Sequence, residues 1–143
     1  MRLIRAPWRR IACVLLAGGL FAGAAQAQKT QPVEFVEGVT SAKMTGRLTG
    51  YDTMTYTLEG RAGQSARIVF KPDNGNCEFL VYRPGQATAS NEAFFNGSRM
   101  GNEFTGILPS SGTYTVWVGL SRDAAKGLQS CGYSIAFSVT GGS

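Results

Sequence analysis

The 143-residue chain contains no histidine. That absence removes the commonest general base, and with it the ordinary Ser-His and Cys-His nucleophilic arrangements. Cysteine is scarce: three residues, Cys13, Cys77 and Cys131, too few to form a structural zinc site without histidine. No glycine-rich loop opens a helix in the way that phosphate cradles require. No ten-residue window outside the N-terminal segment keeps a helical apolar period. Long hydrophobic runs are also missing: the single one, Ile11 to Ala24, is too short to span a membrane comfortably.

What is present begins with an address. Arg2, Arg5, Arg9 and Arg10 form a positive n-region ahead of that apolar run, and Ala25-Gln26-Ala27 is an A-x-A cleavage site. The expectation is a signal peptide over residues 1–27, cleavage after Ala27, and one mature domain over residues 28–143. Arg9-Arg10 is a twin arginine, but Trp8 and Ala12 do not fit the rest of that signal, so ordinary secretion is preferred. Cys13 leaves with the signal; Arg10 stands where a lipobox wants leucine. Export also changes the charge. The whole chain has 14 Lys and Arg against 9 Asp and Glu. Four of the cations and none of the acids lie in the signal, leaving ten against nine. A near-neutral domain with dispersed cations argues against nucleic acid as the partner.

Cys77 and Cys131 remain as an even pair in an oxidising compartment, which reads as a disulfide, with two isolated buried thiols as the alternative. The bridge would close a loop of about 55 residues and contribute roughly 4 kcal/mol on the chain-entropy account.

The mature chain reads as strands and turns. Val33–Val36, Ala42–Leu48, Met54–Leu58, Ala66–Phe70, Cys77–Tyr82, Glu103–Leu108, Thr113–Val118 and Cys131–Val139 are apolar-alternating or short apolar runs, separated by Gly, Pro, Asn and Ser clusters. The spacing predicts an all-β antiparallel sandwich of about eight strands. Met54–Leu58 and Ala66–Phe70 read as one hairpin about Gly60–Gln64. The last two strands read as a second, rigid hairpin about Ser121–Gly127. Gln86–Asn102 is expected to be a long irregular loop anchored by Phe94, Phe95 or both.

Few residues offer chemistry. Asp52, Asp73, Glu78 and Asp123 could supply paired carboxylates, as glycoside hydrolysis needs, but each lies at or beside a turn, where solvated acids are common. Asp73-Asn74-Gly75-Asn76 lacks the remaining ligands and the terminal glutamate of a calcium loop, and reads as a turn. No cofactor or metal is expected. Tyr114, Tyr133, Phe137 and Phe79 fall on inward strand positions, whereas Trp117 has the opposite parity and is expected to be partly buried. Tyr51, in Gly50-Tyr51-Asp52, either packs over a sheet end or stands out as an aromatic anchor. Arg122 and Lys126, four apart, are either ordinary surface charge or a cationic pair for a carboxylate-bearing partner.

The order of these segments resembles a known family. Val33-Glu34-Phe35, Gly50-Tyr51-Asp52 with Tyr56 and Leu58, Gly63-Gln64, Leu108-Pro109-Ser110-Ser111-Gly112-Thr113-Tyr114-Thr115-Val116, Ser121-Arg122-Asp123-Ala124-Ala125-Lys126 and Tyr133-Ser134-Ile135 are similar, across nearly the whole mature chain, to the bacterial periplasmic inhibitors of g-type lysozyme. The Leu-Pro-x-Ser-Gly-x-Tyr stretch also resembles the broader pre-peptidase C-terminal β-sandwich domains. The resemblance implies a periplasmic β-sandwich, not an enzyme, that plugs the lysozyme cleft with Arg122, Tyr51 and Lys126. Asp123 stands where the family often has Asn, and Lys126 where Arg is usual. The other readings are a carbohydrate- or peptidoglycan-binding module, favoured by exposure of Trp117, Phe94 or Phe95 on a flat face, and an envelope protein that binds another protein through a sheet edge.

Overall fold

Alternation with period two decides which side chains point inward, and the fold brings two such surfaces face to face. A computed structural model describes residues 28–86 and 92–141. The expected signal peptide over residues 1–27, with Cys13, lies outside the described residues, as do residues 87–91 of the expected long loop. The described chain runs β1 (Gln28–Pro32), β2 (Ser41–Thr49), β3 (Thr53–Gly60), β4 (Ser65–Pro72), β5 (Cys77–Tyr82), β6 (Phe95–Asn96), α1 (Gly97–Met100), β7 (Glu103–Ile107), β8 (Gly112–Leu120), α2 (Arg122–Lys126) and β9 (Ser130–Thr140). One sheet has the order β1-β3-β8-β5-β6 and the other β2-β9-β4-β7. All pairings are antiparallel except β1 with β3.

In β8, Tyr114, Val116 and Val118 are fully buried while Thr113 faces solvent and Thr115 and Trp117 are half-buried. In β9, Cys131, Tyr133, Ile135 and Phe137 do the same against Gly132, Ser134 and Ala136. Between the sheets runs a chain of ring contacts: Tyr133 to Phe70 (5.5 Å), Phe70 to Phe79 (5.2 Å), Phe79 to Phe95 (5.3 Å) and Phe95 to Phe104 (5.4 Å). Truncating a fully buried ring such as Phe79 to alanine costs roughly 3–5 kcal/mol by removing contacts and leaving a void. Cys77 and Cys131 form a disulfide with 5.9 Å between their Cα atoms. It ties β5 of one sheet to β9 of the other.

The architecture is the expected two-layer antiparallel sandwich, with nine strands among the described residues. Several local expectations differ. Strands β8 and β9 are not a hairpin: each is central in a different sheet. The pair β3 and β4 is likewise split between sheets, so Gly60–Gln64 is a corner. Alternation states which face of a strand is buried but not which sheet owns it, and two adjacent strands bury the same surface by crossing the core as by pairing. The first strand is Gln28–Pro32, not Val33–Val36. Its five residues are all exposed, so β1 leaves no apolar signature, while Val33 is buried just beyond it. Two single-turn helices, α1 and α2, are too short to show a period. The long loop contains β6 and α1, and both of its aromatics anchor it: Phe95 is buried and Phe94 packs edge-on to Phe104 at 5.6 Å.

Candidate functional site

Two connections meet at one end of the sandwich, here called the near pole. The first is the corner Gly50-Tyr51-Asp52 between β2 and β3. Asp52 N donates to Thr49 O (3.1 Å), and the Asp52 carboxylate accepts from Thr49 N (3.2 Å), closing a tight turn. Gly50 has φ of 60°, and a Cβ there would lie 3.0 Å from Leu128 Cδ2. Both the backbone and the packing therefore require glycine.

The second connection is Ser121–Gln129, which carries α2. Ser121 caps the helix, its hydroxyl accepting from Ala124 N (3.4 Å), and Asp123 stands in the first turn, where the helix dipole favours a negative charge. Ala124 and Ala125 are buried, and Arg122, Asp123 and Lys126 face solvent. Arg122 and Lys126, at i and i+4, share one side of the turn. Beyond the helix Leu128 takes a left-handed conformation, φ 52°, the one non-glycine residue among those described to do so, and is 70% exposed. Such backbone in a bulky aliphatic residue is uncommon and costs of order 1 kcal/mol.

The two connections are joined directly. Gly50 N donates to Gln129 O (2.9 Å), and the hydroxyls of Thr49 and Ser130 lie 2.8 Å apart. From below, Ser121 N donates to Asn76 O (2.8 Å), and the Asn74 amide donates to Ser130 O (2.9 Å). Asn76 precedes Cys77 and Ser130 precedes Cys131, so the disulfide lies beneath both connections. The structure thus brings Tyr51, Arg122, Asp123 and Lys126 to the same pole, on a backbone scaffold cross-braced by hydrogen bonds and one covalent bridge. Tyr51 is 49% exposed. Among the described residues no ion pair and no side-chain hydrogen bond occupies Arg122, Asp123 or Lys126. Leu128 was missed by sequence reasoning; its exposure follows from a backbone conformation that no residue pattern announces.

The other candidates are accounted for by structure. The Asp73 carboxylate accepts from Gly132 N (3.1 Å) and lies 3.8 Å from the Arg47 guanidinium, so it braces β4 against β9. Asn74 Oδ1 accepts from Asn76 N (2.9 Å), as in a turn closed by its own side chain. Among the described residues no three His, Cys, Asp or Glu converge to hold a metal. Trp117 is half-buried with its indole lying over Gly119, where a Cβ would sit 2.2 Å from the ring. Phe95 is buried, and Phe94 lies under the Arg83 guanidinium at 5.0 Å, so these rings do not make a flat exposed platform. Deeper in, the Tyr56 and Tyr133 hydroxyls are 2.9 Å apart. Burial pushes both above the usual phenol range, and the bond to Tyr56 adds to the rise at Tyr133, so both stay neutral and structural.

The class that results is a disulfide-braced β-sandwich presenting a preorganised cationic and apolar pole. No protein-family model matches the chain. An inhibitor of g-type lysozyme from Escherichia coli K12 is 26% identical over 126 residues, which is 88% of this chain and 92% of that protein. The crystal structure of Aeromonas hydrophila PliG, a periplasmic inhibitor of g-type lysozyme, is 34% identical with a TM-score of 0.74, covering 81% of this chain and 100% of that one. That of Salmonella Typhimurium PliG, with the same description, is 28% identical with a TM-score of 0.57 over 78% of this chain and 98% of that one. The chain belongs to the PliG family of periplasmic g-type lysozyme inhibitors, whose members are inhibitor proteins and not enzymes.

Proposed function

We propose that this chain is a periplasmic protein that inhibits g-type lysozyme by filling its active-site cleft with the near pole. Residues 1–27 are its export signal and residues 28–143 its working domain. A glycosidase cleft must hold carboxylates. The planar Arg122 guanidinium grips one of them with two parallel N–H donors, Lys126 adds a point charge, and Tyr51 and Leu128 supply apolar contact around them. Asp123 tempers the positive charge beside Arg122.

The single observation that supports the reading most is the joining of two sequence-distant segments, Gly50-Tyr51-Asp52 and Ser121–Gln129, into one braced pole whose cations have no partner among the described residues. A site whose backbone is already braced loses little main-chain freedom on docking, so more of the contact energy appears as affinity.

The test is a bacterial-wall lysis assay with purified g-type lysozyme and the mature protein. Inhibition at micromolar concentration or below is expected, and undiminished lysis there removes this target. Arg122→Ala is expected to raise the inhibition constant about tenfold or more, the equivalent of roughly 1.4 kcal/mol, without moving the thermal midpoint. An unchanged constant takes Arg122 out of the interface.

A further inference from the structure

We propose that the cleft floored by the Tyr56–Tyr133 hydroxyl pair is a binding site for a small neutral ligand carrying an acetylated amine. The site does not depend on the inhibitory function proposed above. It is built around a spare proton. Two hydroxyls carry two protons, and the 2.9 Å bond between them uses one. Neither hydroxyl has another partner among the described residues. The mutual bond is structural; the second proton is a donor without an acceptor, where Tyr56 is 0% and Tyr133 6% exposed. Buried hydroxyls are as a rule paired, and one left unpaired is costly.

That donor faces a cavity. Both tyrosines line a cleft of about 180 Å³ whose walls come from β1, β2, β3 and β9, far more room than one water needs. On its core side the Tyr56 ring packs against Phe137 and the Tyr133 ring against Phe70, each at 5.5 Å. Gly46 stands opposite Tyr133 in the β2–β9 register. A Cβ there would lie 2.5 Å from the Tyr133 hydroxyl oxygen and 2.6 Å from Cζ. The hydroxyl end of Tyr133 therefore abuts β2, and the missing side chain at Gly46 is what leaves it room. Leu48 and Met54 add apolar wall. A neutral phenol donor beside apolar wall suits a carbonyl better than a carboxylate, which loses more hydration there. An acetyl group offers its oxygen to the phenol and its methyl to Leu48 and Met54. Thr45, Asp52 and Thr53 also line the cleft and keep access to solvent, as the polar remainder of the ligand requires. Lys29 and Arg47 complete the lining, with the Arg47 guanidinium 3.8 Å from Asp73.

The test is a titration of the isotope-labelled mature protein, followed by amide chemical shifts, with N-acetylglucosamine, glucose and acetate as separate probes. N-acetylglucosamine is expected to bind with a dissociation constant of about 1–10 mM, shifting residues 45–48, 52–56 and 132–134, and the other two about tenfold more weakly or less tightly still. No shifts in that region at about 50 mM N-acetylglucosamine, the result for a cleft that holds water only, overturns the inference. Equal binding of glucose overturns the role of the acetyl group, and equal binding of acetate overturns the neutral class. The double variant Tyr56→Phe/Tyr133→Phe removes both hydroxyls and is expected to weaken binding about fivefold or more. Met54→Trp fills the cleft from its wall while keeping both hydroxyls, and is expected to abolish binding. Thermal unfolding reports whether each variant is folded; where the double variant is not, Met54→Trp decides. Undiminished binding by either folded variant overturns the site.

Discussion

The two poles of the sandwich are made of the same kind of element, connections between strands, yet they use their side chains in opposite ways. At the far pole the longest sequence motif, Leu108–Val116, is absorbed by the fold. Tyr114 donates its hydroxyl proton to Ser110 O (2.7 Å) and accepts from Ser110 N (3.2 Å), a tyrosine locking the turn four residues before it. Gly63 N donates to Leu108 O, and Leu108 N to Gln64 O, tying that turn to the β3–β4 corner. At the near pole the bracing is done by backbone groups and small polar side chains, and Tyr51, Arg122, Lys126 and Leu128 are left pointing out. The most recognisable motif is therefore structural, and the binding chemistry proposed above is assigned to residues the fold does not need. The far pole exposes Val36 and Val39 as well, so exposed apolar surface alone does not distinguish the ends; the unpartnered cations do.

That contrast can be broken at the one feature that serves both stability and site. Replacing Cys77 and Cys131 together with alanine is expected to cost up to about 4 kcal/mol of stability. It should also weaken inhibition in the molecules that stay folded, because the bridge lies beneath both near-pole connections. Full inhibition by a destabilised double variant would show that the backbone bonds suffice to hold the pole.

Tyr114→Phe should be the mirror image of Arg122→Ala. Losing a part-buried hydroxyl with two bonds is expected to lower stability by about 1–2 kcal/mol with the inhibition constant unaltered. A Tyr114→Phe protein that folds normally but inhibits poorly would put the far pole in the interface. The smallest expected effects sharpen the near pole itself. Asp123→Asn removes a negative charge beside Arg122, and Lys126→Arg restores a bidentate fork. Each is expected to tighten inhibition about two- to threefold, the first mainly through a faster association rate at low salt. Slower association of Asp123→Asn would mean that the acid itself meets a positive group on the lysozyme.

Much of this was legible in the sequence, for identifiable reasons. The alternation in Thr113–Val118 and Cys131–Val139 gave the buried residues correctly, and an even cysteine pair in a chain expected to be exported gave the bridge. The pairing of strands was not legible, because Tyr114 and Tyr133 face one core from opposite sheets and a period of two carries no sheet label. Strand β1 was hidden by its polarity, and α2 by its length. Tyr51, Arg122, Asp123 and Lys126 stood out through their resemblance to a family motif. Leu128 did not, since its exposure comes from a left-handed backbone set by the corner it packs against.

The most direct measurement is amide hydrogen exchange of the mature protein with and without a stoichiometric amount of g-type lysozyme. Slower exchange is predicted for residues 49–52 and 121–129, with residues 61–64 and 109–112 unaffected. Protection confined to the far pole, or a complex that leaves the near pole exchanging as in the free protein, would contradict the account.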